Sequence, residues 1–141
     1  MALKVGKCDV WAVTIDDRPG GAAEKLEMLS KAGADLEMVL ARRTAESPGK
    51  GVMFVTPLKG KKTLEAAQQA GMGKPDTIHS VRIEGTDKPG LGGKIARALS
   101  DVGINFRGMS GVAIGSKFVS FIALDSADDQ SKAIAALKKL K

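Results

Sequence analysis

Asp17-Arg18-Pro19-Gly20 and Asp87-Lys88-Pro89-Gly90 are two copies of one short motif, seventy positions apart. Each copy follows a strand-like run of residues and precedes a helix-like run. The two segments keep further identities at the same offset, so that six of twenty aligned positions agree; beyond the motif these are Leu29/Leu99, Ser30/Ser100 and Gly33/Gly103. This agreement predicts two tandem copies of one supersecondary unit, because a period this long is typical of whole domains rather than of solenoid repeats.

The residues around each motif predict the elements of that unit. Before the first motif, Trp11, Val13 and Ile15 alternate with other residues, which is the pattern of a strand with one buried face, and Val81 and Ile83 repeat it before the second. After each motif, apolar residues recur at helical spacing until a glycine ends the run. Further strands are predicted at residues 36–41, 51–58, 106–113 and 117–124, and further helices at 62–70 and 128–140.

The order strand, helix, strand, strand, helix therefore occurs twice. It predicts an α+β fold of two tandem ferredoxin-like βαββα(β) units, with antiparallel sheets and the helices on one face. We expect a first unit at residues 1–72 and a second at residues 76–141, with a Gly- and Pro-containing boundary between them. The sequence leaves the fourth strand of each unit open. Either residues 77–85 are shared and residues 2–5 complete the other unit, or a sheet edge stays free to pair with another chain.

Charge and hydropathy limit the kinds of partner that the protein is expected to bind. The net charge of +6 makes nucleic acid worth considering, but the basic runs are short, at residues 59–62 and 138–141. No stretch approaches the roughly 18 apolar residues of a membrane span, and the N-terminus lacks the apolar core of a signal peptide. The single cysteine, Cys8, excludes an internal disulfide and fits a reducing compartment. We expect a cytoplasmic protein with no membrane partner.

The Asp-X-Pro-Gly motif suits a small charged ligand. Proline is tolerated in the first turn of a helix and glycine permits a tight turn, so each motif opens a helix with an accessible N-terminus. The unpaired N–H groups there favour a carboxylate or phosphate, while Asp17 or Asp87 beside them favours a cation. The combination complements a zwitterionic amino acid. The alternative is structural, with the aspartate as a helix cap and Pro-Gly as a turn.

The two motifs, together with Gly33-Ala34-Asp35-Leu36 and Gly103-Ile104-Asn105-Phe106 at the helix-to-strand junctions, resemble the ACT domain. ACT domains are small regulatory modules of aspartate kinases, phosphoglycerate dehydrogenases and other enzymes of amino-acid pathways. The resemblance covers nearly the whole chain. It implies a tandem ACT protein that binds a free amino acid at interfaces between paired domains, through the first strand-to-helix loop and the start of the second strand.

Carried onto this sequence, the resemblance implies two sets of ligand-binding residues. The second set is favoured, because the amide of Asn105 both donates and accepts hydrogen bonds, whereas an ionised Asp35 only accepts them. The first unit is expected to keep the turn, with its ligand site in doubt. The implied residues are Asp87, Lys88, Pro89, Gly90, Leu91, Gly92, Ile104 and Asn105 in the second unit, and Asp17, Pro19, Gly20, Gly21 and Asp35 in the first.

No catalytic constellation is predicted. His79 is the only histidine and Cys8 the only cysteine, so we expect no zinc site, no catalytic residues and no cofactor. The predicted function is a non-catalytic regulator that binds a free amino acid or a similar zwitterion, forms a homodimer or higher homo-oligomer and acts on a partner enzyme. Two alternatives stay open, a structural dimerisation module with empty sites and, with less support, a nucleic-acid-binding protein.

Overall fold

The computed structural model describes residues 3–140 and divides into two compact units. The N-terminal unit comprises residues 9–75, and the C-terminal unit comprises residues 76–140 together with residues 3–8. Over the described residues the elements are, in chain order, β1 (Lys4–Cys8), β2 (Trp11–Asp16), α1 (Gly21–Lys31), β3 (Met38–Arg43), β4 (Lys50–Thr56), α2 (Lys61–Gln69), β5 (His79–Thr86), α3 (Leu91–Asp101), β6 (Gly108–Ile114), β7 (Lys117–Leu124) and α4 (Ala127–Lys138).

The N-terminal unit is built on a three-stranded antiparallel sheet in the order β2-β4-β3. The apolar run of β4 lies in the centre of this sheet, where the strand pairs with β2 on one side and β3 on the other. On the outer side of β2, Ala12 and Gly73 exchange two backbone hydrogen bonds of 2.8 and 3.0 Å. This single bridge occupies the place where a ferredoxin-like unit has its fourth strand.

The C-terminal unit has a four-stranded antiparallel sheet in the order β1-β5-β7-β6. Its fourth strand is β1, which pairs with β5 from Lys4 opposite Glu84 to Cys8 opposite Ser80. The N-terminal strand therefore belongs to the second unit and not to the first, which differs from the expected division at residues 1–72 and 76–141. β5 pairs with β1 and β7, so residues 77–85 are not shared between two sheets.

Each sheet buries one face against its two helices. In the C-terminal unit, Val5 of β1 joins the core formed by β5, β7, α3 and α4, and this burial explains why β1 pairs there. Leu29 and Leu99, two of the identities between the repeats, are fully buried in their respective cores. The α+β fold with antiparallel, ferredoxin-like sheets is confirmed.

Candidate functional site

The C-terminal loop, defined as residues 87–93, contains the second motif and is held at one point by the backbone. The N–H group of Asp87 donates to the carbonyl oxygen of Ser116 in the β6–β7 turn, at 2.8 Å. The chain then turns through Lys88 and Pro89 to Gly90, whose φ of 84° lies in the left-handed region that favours glycine. α3 begins at the next residue. The motif therefore fixes the direction of the helix while its side chains stay exposed.

The N-terminus of α3 is open to solvent. Gly90 is the N-cap residue, and no side chain in the described part of the chain caps the helix. A methyl group added at Gly92 or Gly93 would meet no atom within 4 Å. Because the first N–H groups of a helix have no partner inside the helix, those of the glycines can donate to an anion that approaches from outside.

Charged and apolar groups surround this helix end. The side chain of Asp87 forms no ion pair or hydrogen bond within residues 3–140, and it is exposed. A shallow pocket beside the loop has Leu3, Leu91 and Leu140 in its wall and also contacts Lys88 and Lys94. The loop thus presents a carboxylate on its rim, and ammonium groups beside unpaired N–H groups, which suits a small molecule carrying charges of both signs.

Asn105 lies far from Asp87 within one unit. β5 and β6 are both antiparallel to β7, and Thr86 pairs with Lys117 whereas Gly108 pairs with Ala123. Six residue steps along β7 separate those pairs, which corresponds to about 20 Å. Asp17 and Asp35 are separated in the same way in the N-terminal unit, where Asp16 pairs with Lys50 and Met38 with Thr56. Within a single unit, therefore, Asp17 does not lie near Asp35, and Asp87 does not lie near Asn105.

The N-terminal loop, defined as residues 16–21, has the same backbone but a different charge environment. The N–H group of Asp17 donates to the carbonyl oxygen of Gly49 at 3.0 Å, and Gly20 has a φ of 89°. Here, however, the carboxylate is paired, because Nε of Arg43 at the end of β3 donates to Oδ2 of Asp17 at 2.8 Å. Pro19 and Asp35 are exposed, but Asp17 already has a cationic partner.

A second group of ion pairs surrounds the first turn of α1. Asp16 accepts from Lys50 at 2.5 Å and lies 3.6 Å from Arg18, while Nη2 of Arg18 donates to Glu24 at 2.7 Å. The hydrogen bond and charge of Lys50 hold the pKa of the Asp16 carboxyl below its ordinary value, and Arg18 adds to the effect. Glu24 raises the pKa of the Arg18 guanidinium in turn. Ion pairs with Lys50 and Glu24 therefore hold Asp16 and Arg18 of this loop in place.

Two of the residues implied by the resemblance are less accessible than expected. Ile104 is buried in the core of the C-terminal unit, so its side chain is not free to contact a ligand. Gly21 packs so closely that an added methyl group would lie 2.1 Å from the carbonyl oxygen of Asp16. Gly21 lies beside the exposed residues of the N-terminal loop, whereas Ile104 adjoins Asn105 at the opposite end of the C-terminal sheet from its loop. Sequence reasoning also missed Arg43 and Glu24, although a comparison at the offset of seventy reveals them, because Ala113 and Lys94 stand there instead.

Other candidate chemistry is sparse over residues 3–140. No group of three or more His, Cys, Asp or Glu side chains in this part of the chain is arranged to hold a metal ion. A ring nitrogen of His79 lies 3.1 Å from the carbonyl oxygen of Asp76, so this side chain helps to hold the start of β5. None of the helices in the same range has the length and apolarity needed to cross a membrane.

Comparison with known proteins locates the second motif in a recognised domain. Residues 79–141 match the family model of the ACT domain. This range contains the C-terminal loop, α3, β6, β7 and α4. The curated proteins contain no match to the chain.

Solved structures share the architecture of the whole chain. A protein from Bacteroides thetaiotaomicron aligns with a TM-score of 0.76 and 18% identity, covering 93% of this chain and 88% of its own. The regulatory subunit of aspartate kinase from Thermus thermophilus, in its ligand-free form, aligns with a TM-score of 0.66 and 20% identity, covering 99% and 97%. The corresponding subunit from Thermus flavus gives 0.61 and 21%, covering 97% and 95%. The chain thus carries an ACT domain match at residues 79–141 within a fold that these regulatory subunits share over their length.

Proposed function

We propose that this chain is a non-catalytic, cytoplasmic regulatory protein with two ACT-type units, which binds a free amino acid at the C-terminal loop and transmits binding to a partner enzyme. One observation carries the proposal: over residues 3–140 the carboxylate of Asp87 has no ion-pair or hydrogen-bond partner, and it stands beside a helix start, that of α3, which no side chain in this range caps. The family match over the same residues and the fold shared with regulatory subunits of aspartate kinase support the regulatory role.

The proposed complex uses each charge of the ligand once. The ammonium group of the amino acid pairs with Asp87, and the carboxylate accepts from the N–H groups of Gly92 and Gly93. Lys88 and Lys94, which both contact the neighbouring pocket, add positive charge on the carboxylate side. The apolar wall formed with Leu91 favours a ligand whose side chain is short and at least partly apolar.

A ligand that also contacts Asn105 requires a second unit, because Asn105 and Asp87 lie at opposite ends of one sheet. β6 is an edge strand, and its residues Val112 and Ile114 are 53% and 72% exposed. Antiparallel pairing of two such edges would set the end of one β6 against the start of the other, and so bring Asp87 of one copy towards Asn105 of its neighbour. Ligand binding would then favour the paired state, which is how it could reach a partner enzyme.

A thermal-shift screen with each of the twenty protein amino acids tests the proposal. At about 100 times its dissociation constant the ligand should stabilise the protein by roughly 2.7 kcal/mol. Asp87→Ala should abolish the shift, and it should change the unliganded melting curve little, because this carboxylate neither caps α3 nor forms an ion pair within residues 3–140. Asp17→Ala is the matched control and should keep the shift.

Three outcomes would contradict the proposal. The absence of a shift with every amino acid would favour a structural pairing module. A thermal shift that persists in the Asp87→Ala variant would mean that the amino acid binds at another site. Binding of arbitrary oligonucleotides that weakens steeply as salt increases would instead favour a nucleic-acid-binding protein, since release of counterions from phosphates produces that dependence.

A further inference from the structure

We propose that Arg43 and Glu24 take the places of a ligand's ammonium and carboxylate in the N-terminal loop, so that this loop is closed and the chain binds ligand only at the C-terminal loop. The inference rests on the proposed function, since it assumes that the open copy of the motif is the one that binds. According to this inference, two side chains outside the motif, Arg43 and Glu24, determine whether the loop can bind a ligand.

The cationic half of the argument is the pair of Asp17 with Arg43. The guanidinium Nε lies 2.8 Å from the carboxylate Oδ2, and the backbone of Asp17 is held by Gly49. An incoming ammonium group would have to displace the guanidinium and would also meet its positive charge. In the C-terminal unit the position seventy residues later is Ala113, which has neither charge nor reach.

The anionic half is Glu24, in the first turn of α1. A carboxylate at a helix N-terminus interacts favourably with the partial positive charge there, so Glu24 supplies a negative charge at the start of α1, although within residues 3–140 no side chain hydrogen-bonds the N–H groups of this helix start. Arg18 holds this carboxylate at 2.7 Å and also contacts Asp16, which Lys50 binds. In the C-terminal unit the corresponding residue is Lys94, of opposite charge. Lys94 therefore attracts an anion to the start of α3, whereas Glu24 repels an anion from the start of α1.

The geometry of the loop adds to the closure. Gly21 packs against the carbonyl oxygen of Asp16, whereas Leu91 at the same place in the C-terminal unit turns its side chain towards the pocket that Lys88 and Lys94 also contact. The two helix starts therefore differ in packing as well as in charge. The N-terminal loop keeps the backbone of a site whose charged positions are filled by Glu24 of α1 and Arg43 of β3.

The test moves the closing residues between the two loops. In an Asp87→Ala background, Glu24→Lys with Arg43→Ala gives these two positions beside the N-terminal loop the residues that stand beside the C-terminal loop. This variant should regain a thermal shift with at least one of the twenty protein amino acids, its affinity for that amino acid rising by about tenfold over the Asp87→Ala parent. The matched control, Glu27→Lys with Arg42→Ala, makes the same charge changes on the same helix and strand and should regain nothing.

The reciprocal variant, Lys94→Glu with Ala113→Arg, should weaken binding by about tenfold while the protein remains folded, because both substitutions fall on exposed positions. If the opened N-terminal loop gains nothing and the reciprocal variant binds like wild type, the inference is overturned while the proposed function stands. If wild type binds no amino acid, the proposed function fails. Glu24→Lys with Arg43→Ala then decides only whether Glu24 and Arg43 close the N-terminal loop: a new shift supports that closure, and none overturns it.

Discussion

The two loops share their backbone and differ in the charges around it. In both, the aspartate N–H donates to a hairpin carbonyl, at 3.0 Å for Asp17 and 2.8 Å for Asp87. In both, a glycine with φ near 85–90° precedes a helix without a side-chain cap. Among the residues that the structure describes, Asp17 pairs with an arginine, Arg43, whereas Asp87 has no such partner. The comparison teaches that a repeated motif preserves a turn, and that residues outside the motif decide whether the turn is available to a ligand.

The hairpins that supply those carbonyls reinforce the point. The β3–β4 connection spans residues 44–49, whereas β6 and β7 are joined through residues 115–116 alone. Hairpins of different length nevertheless place an acceptor opposite the same aspartate. The backbone contact therefore depends on strand register, which the two sheets share, and not on the sequence of the turn.

The largest expected effect concerns the cores, where the two units should behave alike. Leu29→Ala and Leu99→Ala should each cost about 2–5 kcal/mol in the free energy of unfolding, since both side chains are fully buried. Urea denaturation measures this cost, with the exposed position Val112→Ala as a control expected to change stability by less than about 0.5 kcal/mol. A small loss for only one leucine would break the equivalence of the two cores.

A smaller effect should separate the two helix starts. Gly21→Ala forces a methyl group against the carbonyl oxygen of Asp16 and should destabilise the protein by roughly 1–3 kcal/mol. Gly93→Ala, in the first turn of α3 with open space around it, should be neutral or stabilise by up to about 1 kcal/mol, as alanine is the better helix former. Equal effects in urea denaturation would mean that the packing of the two loops does not differ as described.

The smallest effect is on acid stability, and it belongs to the N-terminal loop. Lys50 and Arg18 lower the pKa of Asp16 in the folded protein, so the unfolded chain binds protons more readily in acid. The stabilisation by Asp16 is therefore complete above the ordinary carboxyl pKa and disappears as the pH falls through the lowered one. Lys50→Ala should raise the Asp16 pKa in a carboxyl NMR titration. Arg42→Ala should leave the pKa of Asp16 unchanged. An equal rise of this pKa in both variants would show that Lys50 has no specific effect on Asp16.

Most of the fold could be predicted because its signals are local. The alternation in Trp11–Asp16 and His79–Thr86 and the helical stripes after each motif need no distant partner to be recognised. β1 could be placed from the sequence only as one of two alternatives, in which residues 2–5 complete a sheet. Lys-Val-Gly-Lys-Cys has a single strongly apolar residue, Val5, and its partner strand lies more than seventy positions away. Its place depends on burial in a core that only the folded chain provides.

The candidate site was predictable in part for the same reason. The motif located both loops, but the pairing of Asp17 with Arg43 joins residues 26 positions apart and depends on how β3 lies beside the loop. The separation of Asp87 and Asn105 follows from topology. The chain crosses from β5 to β6 through α3, and these two strands are parallel. The end of β5 and the start of β6 therefore lie at opposite ends of the strands in the sheet.

The pairing of β1 with β5 also has a consequence for the order in which the chain can fold. Residues 9–75 form a compact unit whose contacts are local in sequence, so they can fold while the ribosome is still extending the chain. β1 is synthesised before residues 9–75, yet it acquires its partner only after β5 has been synthesised. Closing that long connection makes completion of the C-terminal sheet a late event with high contact order. The unit proposed to sense the ligand would thus mature after the unit formed by residues 9–75.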